Sequence, residues 1–220
     1  MLVSFAIKQT EHARSVLKLG TSPDTMLIAR SMLEGLSQLL WAMKQPTRRP
    51  LLWRAFAFVL DWRLLQRHRA EGRTIDSDVE RHTHAGLRRH GRWFLTKEAR
   101  QARANGRLLP LDPYVKNWYG EREVEIFRDV GGQVLLEHAY GPFSEWHHWR
   151  IGAIGRLVSF DAGAREFTMT TFRPSSVALA VACAFQCLWQ TMWLMNARCH
   201  LRIGRQLRHL HHQQVSIPRP

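Results

Sequence analysis

One segment constrains the fold more than any other: residues 177–197 are apolar at almost every position. The segment approaches the ~20 residues that a helix needs to cross a bilayer, and it is far longer than a typical strand. Four of its side chains would be costly in hydrocarbon, namely Gln186, Gln190, Thr191 and Asn196. We therefore interpret the segment as the central helix of a soluble bundle rather than as a membrane span, with a membrane-anchoring helix as the alternative.

A second apolar helix is predicted over residues 26–44, behind a Ser-Pro-Asp triplet at 22–24 that is typical of a helix start. This helix is apolar almost all round, so we expect it to be central. Arg30 and Glu34 lie one turn apart within it. Charged side chains in apolar surroundings normally form ion pairs or take part in function, and both residues are therefore candidates for a site. An intrahelical ion pair on a solvated face is the alternative.

The remaining segments predict a mainly α fold, a multi-helix bundle with one small irregular or β-hairpin excursion near residues 157–172, where the residues alternate around a turn. Helical spacing, caps and breakers predict further helices over residues 2–19, 50–70, 79–104, 121–130, 133–140 and 144–154. We expect a single helical domain over residues 1–212 and a flexible C-terminal tail over residues 213–220.

The chain is strongly basic, with a net charge of +14 and a pI of about 11.0. Such a balance favours RNA, DNA or another polyanion as partner, or an acidic membrane surface, although an arginine-rich composition also accompanies a genome rich in G and C. The 79–104 helix and the three residues after it hold the densest run of basic residues: Arg81, Arg88, Arg89, Arg92, Lys97, Arg100, Arg103 and Arg107. We interpret it as a solvated outer helix, or as a face that tracks phosphates.

Cysteine usage and known motifs predict neither a cofactor nor a metal. Cys183, Cys187 and Cys199 are odd in number and cluster in one helical segment, which argues against a disulfide framework and favours a reducing cytoplasm. Cys183 and Cys187, which have helical spacing, are predicted to be packing residues. No P-loop, dinucleotide fingerprint, H-E-x-x-H or paired C-x-x-C is present, and Glu34 with His148 makes too few ligands for a metal. The opening apolar run is cut short by charged residues, so no signal peptide is expected.

The candidate site centres on Tyr140, Ser144 and His148, which are spaced four residues apart. In an α-helix this spacing places side chains on one face, and Gly141-Pro142 predicts a kink or a fresh helix start beside them. We expect the three polar groups to converge with Arg30 and Glu34 in a pocket between helices.

Each of these residues has a predicted chemical role. Arg30 offers a planar fork for a phosphate or carboxylate, and His148 a general acid or base near neutral pH. Glu34 would orient one of the two, and Ser144 is predicted to be a hydrogen-bond partner rather than a nucleophile. The alternative is that the set is a buried polar network that determines how two helices pack.

Three features occur together in one order: Ala29-Arg-Ser-Met-Leu-Glu34 in an apolar helix, a Trp118-Tyr-Gly120 turn before an acidic helix, and Tyr140-x3-Ser144-x3-His148. In this the chain resembles the bacterial family catalogued as domain of unknown function 5677, from about Pro23 to the last long helix. The resemblance implies a mostly helical fold and no assigned activity. The chain departs from the family at Trp149, where a small residue or proline is expected after the histidine.

Three classes of function remain open. The first is a metal-independent nuclease or phosphodiester-acting effector of the toxin or phage-defence type. The second is a non-catalytic module that binds a nucleotide, another anion or nucleic acid, and the third is a membrane-associated protein anchored by the last long helix. Arg63 and His68 also match the R-x4-H spacing of HEPN-type ribonucleases, but such a short pattern arises readily in a chain so rich in arginine and histidine.

Overall fold

The computed structural model describes residues 1–20, 22, 24–148, 158–163, 165–169 and 174–215, and the fold is mainly α, as predicted. In chain order the helices are α1 (Leu2–Leu19), α2 (Thr25–Met43), α3 (Arg49–Ala55), α4 (Ala57–Ala70), α5 (Ser77–His90), α6 (Lys97–Ala104), α7 (Glu123–Asp129), α8 (Gln133–Leu135), α9 (Gly141–His147), α10 (Pro174–Cys199) and α11 (Gly204–Val215). A 3-10 turn spans Gly91–Phe94, and a π-helical turn spans Leu136–Tyr140.

The predicted excursion is a β-hairpin. Strand β1 (Val158–Asp161) pairs antiparallel with β2 (Glu166–Met169), with Val158 opposite Met169 and Asp161 opposite Glu166. Arg165 in the connecting turn has a φ of 57°, the left-handed conformation that closes many tight turns. The end of the helix predicted over residues 144–154, and with it Trp149, lies outside the described residues.

Where the sequence predicted one domain over residues 1–212, contacts between residues divide the chain into two compact units. The middle unit comprises residues 42–122 together with Met1, and the terminal unit comprises residues 2–41 and 123–220. The predicted tail also begins too early, because α11 continues to Val215 and residues 213–215 are therefore helical.

The terminal unit has a core to which α1, α2, α7, α9 and α10 all contribute. Its buried residues are Val16, Ala29, Met32, Leu33, Leu36, Phe127, Ala139, Phe143, Ala180, Cys183, Ala184 and Cys187. The four from α10 recur every three or four residues, which is the spacing of one helical face. Cys183 and Cys187 are thus packing residues, and burial raises the pKa of both thiols, that of Cys183 to about 11.

The flank of α10 away from this face is less buried, with Leu179 38% exposed and Val181 36% exposed. Among the described residues, one helix, Ser175–Cys199, is long and apolar enough to cross a membrane, and 33% of its most apolar window is buried. Length and composition alone do not distinguish a span from a core helix. The absence of a membrane span and a cytoplasmic location therefore stay predictions.

In the middle unit, two predicted helices are each divided. The 50–70 helix breaks at Phe56 into α3 and α4, and the 79–104 helix breaks at Gly91 into α5, a 3-10 turn and α6. The second break brings Leu95 into a bridge with Tyr114, and Thr96 then restarts the helix as its cap, accepting a hydrogen bond from Ala99 N at 3.1 Å. The chain is thereby turned so that α5 and α6 each present arginines beside Tyr114.

Candidate functional site

Three of the five predicted site residues meet in the terminal unit. Arg30 Nη2 lies 2.8 Å from Glu34 Oε1 and donates to Tyr140 Oη at 3.2 Å, and Tyr140 Oη donates to Glu34 Oε1 at 2.9 Å. The Arg30 guanidinium also lies 5.2 Å from the centre of the Tyr140 ring. The early helix and the later turn are thus joined by a closed ring of three polar contacts, which we call the Arg30 cluster.

Tyr140 reaches this position through the π-helical turn that ends with it. Pro142 has no N–H, and its ring would crowd the carbonyl one turn earlier, so a regular helix cannot continue through it. The helix widens instead, and Gly141 N bonds to Leu136 O, five residues back. The Tyr140 ring then packs 5.1 Å from that of Phe127. The predicted kink or fresh start at Gly141-Pro142 is therefore present, and it places the phenol over Arg30.

Ser144 and His148 do not join the cluster. Ser144 Oγ is buried and has no hydrogen-bond partner among the described residues. Helix α9 ends at His147, and His148 follows in a non-helical conformation, exposed, with its ring 4.9 Å from that of His147. His148 N still bonds to Ser144 O at 3.0 Å, but the His148 ring is exposed beside His147, so the expected meeting of His148 with Arg30 and Glu34 is not seen.

The cluster is partly desolvated, and its charges are matched. The Arg30 side chain is 16% exposed and that of Glu34 is 31% exposed. Burial raises the pKa of the Tyr140 phenol above its ordinary value of 10.0, the hydrogen bond from Arg30 opposes this, and Glu34 adds to the rise. Arg30 Nε has no hydrogen-bond partner among the described residues. With Glu34 already neutralising Arg30, the arrangement has the chemistry of a packing network more than of an open anion clamp.

We expect stability to fall above about pH 10, in part through Tyr140. An unfolded tyrosine ionises near 10.0, whereas the folded phenol holds its proton to higher pH. Its contribution is therefore fully present below pH 10 and is lost as the pH rises through the folded pKa. Urea unfolding between about pH 8 and about pH 11 measures the effect. The free energy of unfolding should fall less with pH for Tyr140→Phe than for the natural chain. Parallel curves for the two proteins would contradict this assignment.

Arg63, part of the R-x4-H spacing that was set aside above, is engaged by the loop that carries Tyr114. Arg63 Nε lies 2.9 Å from Asp112 Oδ2, and its Nη2 donates to the carbonyls of Tyr114 at 3.1 Å and Val115 at 2.9 Å. The guanidinium is thus occupied in holding the loop that carries Tyr114. This use of Arg63 accords with setting the R-x4-H spacing aside.

The middle unit holds a feature that sequence reasoning did not assemble: a cleft of about 460 Å³, which we call the arginine cleft. Its lining comes from five parts of the unit, namely α4, α5, the 3-10 turn, α6 and the loop after α6: Trp62, His84, Leu87, Arg88, Arg92, Arg103 and Tyr114. Arginine, tryptophan and tyrosine together can provide positive charge, flat apolar surfaces and a hydroxyl at one place.

The arginines of this cleft differ from three arginines elsewhere in the same unit. Arg69, Arg73 and Arg81 each contact a carboxylate, from Glu80, Glu71 and Asp78 respectively. In contrast, the three cleft arginines form no ion pair within the described part of the chain: Arg88, Arg92 and Arg103. Three like charges around one opening repel each other, and a bound anion would relieve that repulsion.

Net charge is concentrated in the same unit. Residues 42–122 contain 18 Lys and Arg against 8 Asp and Glu, which gives +10 of the chain's +14. The remaining residues contain 14 basic against 10 acidic side chains, and therefore only +4. The basic face that the sequence indicated is thus a property of the middle unit.

Comparison with known proteins adds no relative: no family model, no curated protein and no solved structure matches the chain. The likeness to domain of unknown function 5677 therefore stays a prediction. Among the described residues, no group of three or more His, Cys, Asp or Glu side chains is placed to hold a metal ion.

Proposed function

We propose that the chain is a nucleic-acid-binding protein whose middle unit holds phosphates in the arginine cleft. One observation carries this proposal: Arg88, Arg92 and Arg103 line a single opening, and no carboxylate of the described residues pairs with them. Guanidinium groups bind phosphate oxygens in pairs through their planar fork. Each phosphate contact releases a condensed counterion, so binding of this kind weakens steeply with salt.

The test is a titration of fluorescently labelled RNA and DNA strands with the purified full chain at several salt concentrations. The triple variant Arg88→Gln, Arg92→Gln, Arg103→Gln should bind at least about tenfold more weakly at low salt, and its salt slope should be smaller by about 2 to 3. These losses are expected because three phosphate contacts are removed while the neutral side chains keep similar length.

A matched control removes the same charge from the same unit. The triple variant Arg69→Gln, Arg73→Gln, Arg81→Gln takes away arginines that already contact carboxylates. It should keep most of the affinity and the salt slope of the natural chain. Equal losses in both triple variants would show that net charge, and not the cleft, controls binding, and the proposal would fail. Preference for anionic lipid vesicles over nucleic acid would overturn it as well.

The same incubations address catalysis, the first class indicated by the sequence. The contacts of Arg30 with Glu34 and Tyr140, and the exposed position of His148, favour binding without cleavage. We therefore expect the strands to be recovered intact. Cleavage that disappears in His148→Ala would instead support the metal-independent nuclease.

A further inference from the structure

We propose that the arginine cleft admits one unstacked nucleobase, so that the protein prefers single-stranded nucleic acid over duplex. This inference rests on the proposed function and deepens it, because phosphate contacts alone do not distinguish the two forms. The inference depends on the volume of the cleft and on its aromatic and apolar lining residues, neither of which phosphate binding alone requires.

The cleft has room for a base. The cleft is open on one side, and its volume of about 460 Å³ is within the ~300–1,000 Å³ of small-molecule sites. Its accessible lining is mainly polar, with three arginines among the seven lining residues, and Trp62, Leu87 and Tyr114 supply the smaller apolar part. A nucleotide combines matching features, because it has a flat apolar base and an anionic phosphate.

The aromatic walls are held in place from outside the cleft. The Trp62 and Tyr114 rings lie 5.2 Å apart at 81°, in an edge-to-face pair. Trp62 Nε1 donates to the side-chain oxygen of Gln66 at 3.2 Å when that amide is oriented by its neighbours. Arg63 binds the carbonyl of Tyr114, as described above, and Asp112 Oδ1 accepts from Tyr114 N at 3.1 Å. A wall that is already ordered loses little entropy when a ligand binds.

The Tyr114 hydroxyl adds a polar group without charge. Burial raises the pKa of this phenol, Asp112 raises it further, and Arg103 opposes both, so the group stays protonated at neutral pH. It forms no hydrogen bond to another described residue. It is therefore available to the ring nitrogens and carbonyls that a nucleobase presents.

Duplex geometry conflicts with such a site. Bases inside a duplex are stacked and paired, and extruding one costs a few kcal/mol. Bases of a single strand are already free to turn out and stack on aromatic rings or guanidinium planes. A duplex is thus restricted to the phosphate contacts, whereas a strand gains these and the base.

The decisive experiment uses the natural chain and three ligands of equal length: a single strand, the same strand without bases, and a duplex. One base held against aromatic walls is worth about 1–3 kcal/mol, so the intact strand should bind about 5- to 150-fold more tightly than the abasic strand. The salt slopes of the two strands should be equal, because their phosphates are the same. A 2-aminopurine in the intact strand should change its emission on binding.

A variant that fills the cleft gives an independent measurement. Leu87→Trp should reduce the affinity for the intact strand to that for the abasic strand, while the salt slope is retained. Ala85→Trp, at an exposed position of the same helix outside the cleft, is the matched control and should bind as the natural chain does. A thermal melt checks that both variants are folded. The comparison of the intact strand with the abasic strand uses only the natural chain, so it stays valid if Leu87→Trp misfolds.

The outcomes separate this inference from the proposal beneath it. Equal, salt-dependent affinity for intact strand, abasic strand and duplex would overturn base entry and leave phosphate binding standing. A lack of salt-dependent binding to all three would overturn both. Tighter binding of the intact strand, presented as RNA or as DNA, supports base entry, and the tighter of the two identifies the preferred sugar.

Discussion

Replacing Glu34 with alanine is expected to lower the free energy of unfolding by about 2–3 kcal/mol. The substitution leaves the Arg30 guanidinium, 16% exposed, without its carboxylate. It also removes the acceptor of the Tyr140 hydroxyl. Breaking a fully buried pair costs about 3–5 kcal/mol, and the partial exposure of this one reduces the expected loss. Urea unfolding followed by circular dichroism measures the difference.

Two comparisons make this result specific. Glu11→Ala breaks an exposed ion pair with Arg14, whose side chains are 66% and 60% exposed, and it should cost no more than about 0.5 kcal/mol. Joint replacement by Arg30→Met and Glu34→Leu should recover most of the stability, because apolar residues of similar size leave no orphaned charge. If Glu34→Ala costs no more than Glu11→Ala, the Arg30 cluster is not a packing network, and its charges are held for a ligand.

Gly86→Leu is expected to destabilise the middle unit by about 3 kcal/mol. Gly86 lies where α5 packs on α4, and a Cβ atom there would come within 2.3–2.5 Å of three atoms of the Phe58 ring. Cγ is one of these atoms, so a flip of the ring about its own axis does not clear the new Cβ, and the Phe58 side chain or the helix must shift. Even Gly86→Ala should destabilise, although alanine favours a helix by about 1 kcal/mol over glycine. The midpoint of thermal unfolding reports the loss.

A neighbouring position and a second substitution test the cause. Ala85 is the preceding residue of α5 and is exposed, so Ala85→Leu should change stability by less than about 0.5 kcal/mol. Adding Phe58→Ala to Gly86→Leu should restore part of the loss, because the new side chain can occupy the space of the ring. Equal destabilisation by Ala85→Leu and Gly86→Leu would point to a general effect of leucine in this helix and not to the close approach.

Local chemistry was enough to predict most helix ends. Asp76 is the cap of α5 and accepts from Asp78 N at 2.7 Å, where the sequence offered Asp76 or Ser77 as the cap. Gly20 and Gly131 have φ of 54° and 75°, the left-handed conformation that ends helices. The Arg30–Glu34 ion pair could also be predicted from the sequence, since residues four apart on a helix are neighbours whatever surrounds them.

Long-range placement was predicted only in part. The meeting of Tyr140 with Arg30, 110 residues earlier, followed from treating each as a polar group in an apolar segment that needs a partner. The same reasoning also brought His148 to the cluster, whereas its ring is exposed at the end of α9. The sequence analysis also did not predict the hydrogen bond that Ser37 Oγ donates to Glu123 Oε1 at 2.9 Å. A small hydroxyl in an apolar helix gives little sign of its partner.

The sequence by itself determined that the chain is mainly helical, that a small irregular or hairpin excursion interrupts the helices near residues 157–172, and that its charge is positive, because periodicity, caps and composition are local quantities. Only the tertiary structure decided which arginines stay unpaired and which aromatic rings stand beside them. The cleft joins Trp62 to Tyr114 and α5 to α6, and these meet because helices α4 and α5 pack at Gly86 and the chain turns at Gly91. Pairing of charges depends on distances through space, which the order of residues along the chain does not contain.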